Sequence, residues 1–125
     1  MKEIRTMKAT IALLALIIGV TAQSKPVEVW ECQQESYGNW SNILVVASVE
    51  EGRKVGTVEV AGVVHQAQFR VNGFDRRWDF GSKEDPYLYA FVVRPGGDAA
   101  YYDFRGEKNA KPSNFMQCRQ RAPSQ

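Results

Sequence analysis

The sequence holds one histidine and two cysteines, and it has no Gly-rich phosphate loop, no paired-cysteine metal spacing and no nucleophile elbow. A lone His65 with no cysteine to spare cannot anchor a zinc site or a triad. No catalytic centre, metal or cofactor is therefore expected. An apolar run long enough to cross a bilayer, about 20 residues, is also missing, as is any helical periodicity beyond the N-terminus. Nor is there a lasting excess of charge. Residues 1–22 carry three of the 16 basic residues and one of the 14 acidic ones, which leaves 13 of each. The basic pI of 8.6 thus belongs to the N-terminal segment, and neither nucleic acid nor an anionic membrane surface is an expected partner.

What is present begins with Lys2, Arg5 and Lys8, a short apolar run from Ala9 to Val20, and small residues at Thr21-Ala22. That order describes a secretory signal peptide cut after Ala22, with residues 23–125 forming a single domain. The expected location is periplasmic or secreted, with no membrane insertion once the signal is removed. About 100 residues give a marginal core. Export makes a Cys32–Cys118 disulfide the natural staple; closing an 86-residue loop is worth about 4–5 kcal/mol on the chain-entropy model.

The stretch from Val63 to Gly81 alternates apolar and polar residues on either side of Asn72-Gly73, a strong hairpin signal. Counting outward from a two-residue turn pairs Val71 with Phe74, Phe69 with Arg76, Ala67 with Trp78 and His65 with Phe80. These residues form an interior face. The Ala61-Gly62 turn pairs Val60 with Val63, Val58 with His65 and Gly56 with Ala67, which selects the same face. A turn at Pro95-Gly96-Gly97-Asp98 pairs Val93 with Ala100, Phe91 with Tyr102 and Tyr89 with Phe104 as core, leaving Asp79 and Asp103 on the solvent face beside arginines. Trp78-Asp79-Phe80 and Tyr102-Asp103-Phe104 then read as two strands in equivalent positions. With strands also expected over 27–34, 42–49, 54–60 and 114–120, eight short strands give an up-and-down antiparallel barrel, with a β-sandwich as the alternative. An even number lets the first and last strands pair, and the disulfide would staple that seam.

In such a meander every long loop falls at one end, where small barrels bind. Those loops carry Tyr37, Trp40, Lys83, Glu84, Asp85, Lys108 and Lys111. Trp40 has two readings, a lid on the core or a contact residue. His65 near the same mouth is either a satisfied interior side chain or a ligand contact. Arg76 and Trp78 face the interior. An unpaired buried guanidinium is costly, so Arg76 must snorkel out past Phe74, meet a tyrosine hydroxyl such as that of Tyr89 or Tyr102, or hold an anionic ligand. On the outer face Leu88, Ala90 and Val92, with Tyr101 beside them, form an apolar stripe with a charged rim, suited to a homodimer or simply shielded by its long neighbours.

The expected function is a non-catalytic exported barrel that binds a protein partner or small ligand at its long-loop end. One half-cystine in the first strand (Trp30-Glu31-Cys32) and one in the last (Met116-Gln117-Cys118) make the chain loosely similar to bacterial inhibitors of animal-type lysozyme. That likeness implies the alternative function, inhibition of a secreted or host hydrolase. It rests on size, export and cysteine placement. The Ser-Gly-containing loop motif of that family is not matched, Gly81-Ser82-Lys83 being in reversed order, so no site residues carry over. A carrier of a small hydrophobic or anionic ligand is the second alternative.

Overall fold

The computed structural model describes residues 25–34 and 40–122. The signal-peptide reading of residues 1–22 and the contact residue Tyr37 lie outside these. Eight strands follow in order: β1 (Pro26–Gln34), β2 (Val45–Glu50), β3 (Val55–Val60), β4 (Val63–Asn72), β5 (Asp75–Phe80), β6 (Tyr89–Val93), β7 (Asp98–Asp103) and β8 (Asn114–Arg121). Each pairs antiparallel with the next, and β1 pairs with β8, so the sheet closes into an up-and-down barrel. At that seam Cys32 stands opposite Cys118 and the two form the disulfide. Closure leaves no free sheet edge, and the crosslink holds the one junction between strands far apart in sequence.

Turn chemistry decides each register. Ala61 and Gly62 both have positive φ, 50° and 87°, as a two-residue type I′ hairpin requires, and Val60, Val58 and Gly56 meet Val63, His65 and Ala67 as expected. The next hairpin differs. Its loop is Gly73–Phe74, so Asn72 faces Asp75, Val71 faces Arg76 and Phe69 faces Trp78. This shift of two residues preserves the faces, because side chains alternate with period two. It does leave Val71 and Phe74 at the protruding tip, 56% and 82% exposed instead of interior.

The β6–β7 turn differs in a way that matters more. Gly97, at φ 99°, adds a third loop residue after the Pro95-Gly96 turn, and Gly97 N–H donates to the Arg94 carbonyl. A turn followed by a left-handed residue is the usual three-residue hairpin. Val93 therefore faces Ala99, Phe91 faces Tyr101 and Tyr89 faces Asp103. A one-residue slip turns every β7 side chain over. Ala99 and Tyr101 point inward, whereas Tyr102 and Phe104 stack on the outside with ring centroids 5.6 Å apart. The Trp78-Asp79-Phe80 and Tyr102-Asp103-Phe104 segments are thus not equivalent. The β2–β3 loop is also longer than a tight turn, running over residues 51–54.

The interior is filled by Trp78, Phe80, Phe91, Val45, Val49 and Val58, all at most 1% exposed. Trp78 reaches across the barrel, where its indole N–H donates to the Ser48 carbonyl at 2.8 Å. Gly56 makes that contact possible. A Cβ there would run into the same Ser48 oxygen and approach the indole nitrogen to 3.1 Å. A strand glycine here marks close approach of backbone to a bulky side chain.

Candidate functional site

At the long-loop end the interior residues of β4 to β7 form an aromatic mouth. His65 lies 5.1 Å from Phe80, Phe80 lies 5.5 Å from Tyr89 and 6.1 Å from Tyr101, and the two tyrosines are 6.1 Å apart. These spacings suit tilted and edge-on ring packing. His65, Tyr89 and Tyr101 are half-buried. Burial pushes the Tyr101 hydroxyl above its ordinary ionisation range, and the nearby Tyr89 and Asp103 add to the shift while Arg105 opposes it. Arg105 clamps Asp103 with contacts of 3.0, 3.2 and 2.7 Å and lies 5.5 Å over the Tyr89 ring. Its hydrogen bonds hold the Asp103 carboxyl below the usual carboxylate range. Asp103 therefore belongs to the rim of the mouth, and not to the outer face as the expected register had it.

Beside the mouth the loops after β5 and β7 flank a groove of about 630 Å³ on the outer face. Tyr87, Leu88 and Phe104 supply its apolar walls, with Asp85 and Lys108 at its edge. Its floor is Asp79, outward-facing yet 4% exposed, which Arg77 meets at 3.0 Å and Arg70 at 3.8 Å. Arg77 also lies 6.0 Å over Phe104. The loop after β5 is held by Ser82 N–H donating to the Asp85 carbonyl, and Asp85 Oδ1 accepts from Tyr87 N–H at 3.0 Å. These bonds leave Tyr87 projecting, 58% exposed.

The opposite end is closed by charge. Glu28 points inward from β1 and is 2% exposed. It accepts from the Trp30 indole at 2.6 Å, from Arg53 at 3.1 Å and from Arg76 Nε, and Arg76 lies 5.3 Å over the Trp30 ring. Burial is the largest influence on Glu28 and pushes its carboxyl up. The three donors together outweigh it and hold the group below the usual range. Arg76 thus meets a carboxylate, where the sequence pointed to a tyrosine hydroxyl, solvent or a ligand anion. No local pattern signals this partner, since Glu28 and Arg76 are 48 residues apart.

The residues singled out from sequence therefore separate. Asp85, Leu88 and Lys108 share the groove, while Tyr101 turns inward to join His65 at the mouth. Trp78 is structural. Trp40 is half-buried with Arg119 4.6 Å over its ring, on the outside of the β1–β8 seam. Lys83 is exposed. In the expected stripe Ala90, flanked by Asp79 and Tyr102, is fully buried, with Leu88 and Val92 half-buried. The groove residues Tyr87, Phe104, Arg70 and Arg77 carry no motif; only the β7 register, set by Gly97, brings Phe104 beside them. Among the described residues no group of three or more His, Cys, Asp or Glu side chains could hold a metal ion, and no helix is long and apolar enough to cross a membrane. The disulfide is compatible with an exported protein. No protein-family model, curated protein or solved structure matches this chain.

Proposed function

We propose that this barrel is an exported, periplasmic or secreted, non-catalytic binding protein that engages a protein partner through its long-loop end. The observation that carries the reading is the groove between the loops after β5 and β7. There a projecting Tyr87 and the Phe104 wall stand among Arg70, Arg77, Asp85 and Lys108. An aromatic anchor with arginine neighbours inside a charged rim is the composition of protein-binding hot spots. The filled interior weighs against a carried ligand, because Trp78, Phe80 and Phe91 occupy the space an eight-stranded barrel could offer. Photo-crosslinking in the native host tests the reading. A crosslinker at Tyr87 should trap one defined protein, and Lys108→Glu should abolish the product. Equal trapping from Glu51, in the β2–β3 loop at the opposite end of the barrel, would refute the site.

A second reading, inhibition of a secreted hydrolase of the animal-lysozyme type, is favoured by the closed barrel with its seam between half-cystines of the first and last strands. Equimolar protein should then suppress lysis of bacterial cells by such a lysozyme, and Tyr87→Ala should relieve the suppression. Undiminished lysis at tenfold excess would exclude it.

A further inference from the structure

On the outer face, away from the mouth, a cleft of about 160 Å³ opens between β6, β7 and β8. Its walls are Val92, Ala100, Tyr102 and Phe115, the last 57% exposed. Asp75, Arg94 and Asp98 stand at its rim, where Arg94 and Asp98 are 3.8 Å apart and both more than half exposed. The residue before Asp75 is Phe74, in the second position of the β4–β5 turn and 82% exposed. A phenylalanine so placed contributes nothing to its own barrel core, and hairpin loops favour small polar residues there.

We propose that the barrel forms a two-fold homodimer in which Phe74 of each copy enters the cleft of the other. Size fits: about 150 Å³ is room enough for a benzene-sized ring, and the aromatic and aliphatic side chains of the cleft can meet its faces. Placement fits as well, because a two-fold interface uses one patch that is complementary to itself. Here knob and hole lie side by side on one patch, joined through Asp75. Charge permits one cross-pair on each side, since Asp75 has no ion pair among the described residues and Arg94, 67% exposed and only 3.8 Å from its own Asp98, is free to meet the Asp75 of the other copy. These three features select a second copy over an unrelated partner, which would need only the hole or only the knob. The mouth and the Tyr87 groove lie outside this patch, so the inference does not depend on the proposed function.

Sedimentation velocity over a concentration series tests it, using the chain as isolated from its host. The wild type should show a monomer–dimer equilibrium with no larger species. Phe74→Glu should weaken it at least about a hundredfold, and Phe74→Ala at least about tenfold, as when an aromatic anchor is removed. Ala100→Phe, which fills the cleft from within, should weaken it as much as Phe74→Ala while leaving the β-sheet circular dichroism unchanged. Mixing Phe74→Glu with Ala100→Phe restores one knob-and-hole pair and should recover part of the association. A wild type monomeric at every concentration, a dimer that Phe74→Glu leaves intact, or growth beyond the dimer would each overturn the proposal.

Discussion

Replacing Glu28 by glutamine removes the buried negative charge on which Trp30, Arg53 and Arg76 converge at the tight-turn end. The side chain is 2% exposed and accepts from Trp30, Arg53 and Arg76. The substituted amide would keep an acceptor for the indole but would turn an NH2 group toward a guanidinium. Breaking a fully buried ion pair costs about 3–5 kcal/mol. Arg76 and Arg53 are 28% and 55% exposed, so water recovers part of that loss and about 2–3 kcal/mol is the expected destabilisation. For a domain of this size the change corresponds to a Tm lower by about 10–20 °C. The pH dependence carries the diagnosis. Because the folded carboxyl is held below its ordinary value, its stabilisation is full above the unfolded pKa of about 4.3 and is lost as pH falls through the folded pKa. Urea unfolding followed by tryptophan fluorescence should therefore show the full gap between wild type and Glu28→Gln at pH 7, narrowing progressively below about pH 4. A double-mutant cycle with Arg76→Gln should give a coupling above about 1 kcal/mol. A gap that stays constant down to pH 2, or a coupling below about 0.5 kcal/mol, would refute the assignment.

Gly56→Ala should destabilise the barrel by at least about 3 kcal/mol through overpacking and loss of the indole bond to Ser48; denaturant melts and a shifted Trp78 emission report it. Reduction of Cys32–Cys118 should cost up to about 4–5 kcal/mol, read as a drop in Tm on adding dithiothreitol, and an unchanged Tm would show that the seam holds without it. Tyr101 should titrate above ordinary tyrosines in ultraviolet difference spectra, and because its folded pKa is raised, its share of stability should be lost as pH rises through that range. Tyr101→Phe should remove this late component.

The alternation of side chains, the cysteine placement and the turn residues of the sequence suffice to specify eight antiparallel strands and a half-cystine in the first and the last, while the choice of a closed barrel over a sandwich is made by the pairing of β1 with β8. Local chemistry acts there directly: period-two patterning fixes faces, and Ala61-Gly62 admits a type I′ hairpin whose register follows. The Gly73–Phe74 loop shows the tolerance of this logic, since a two-residue shift keeps every face. Gly97 shows its limit, for a loop one residue shorter than expected inverts β7 and exchanges Tyr102 and Phe104 for Ala99 and Tyr101. Three-residue and four-residue spacings at Pro95 look alike in sequence, and the packing of Ala99 and Tyr101 into the interior is compatible with only one of them. The partnership of Glu28 with Arg76, the indole of Trp78 on the Ser48 carbonyl and the groove around Asp79 belong to tertiary structure alone. The first two join residues 48 and 30 positions apart, which come within hydrogen-bonding distance only when the sheet curls into the barrel; the groove depends on the β7 register, which sets Phe104 beside Arg77.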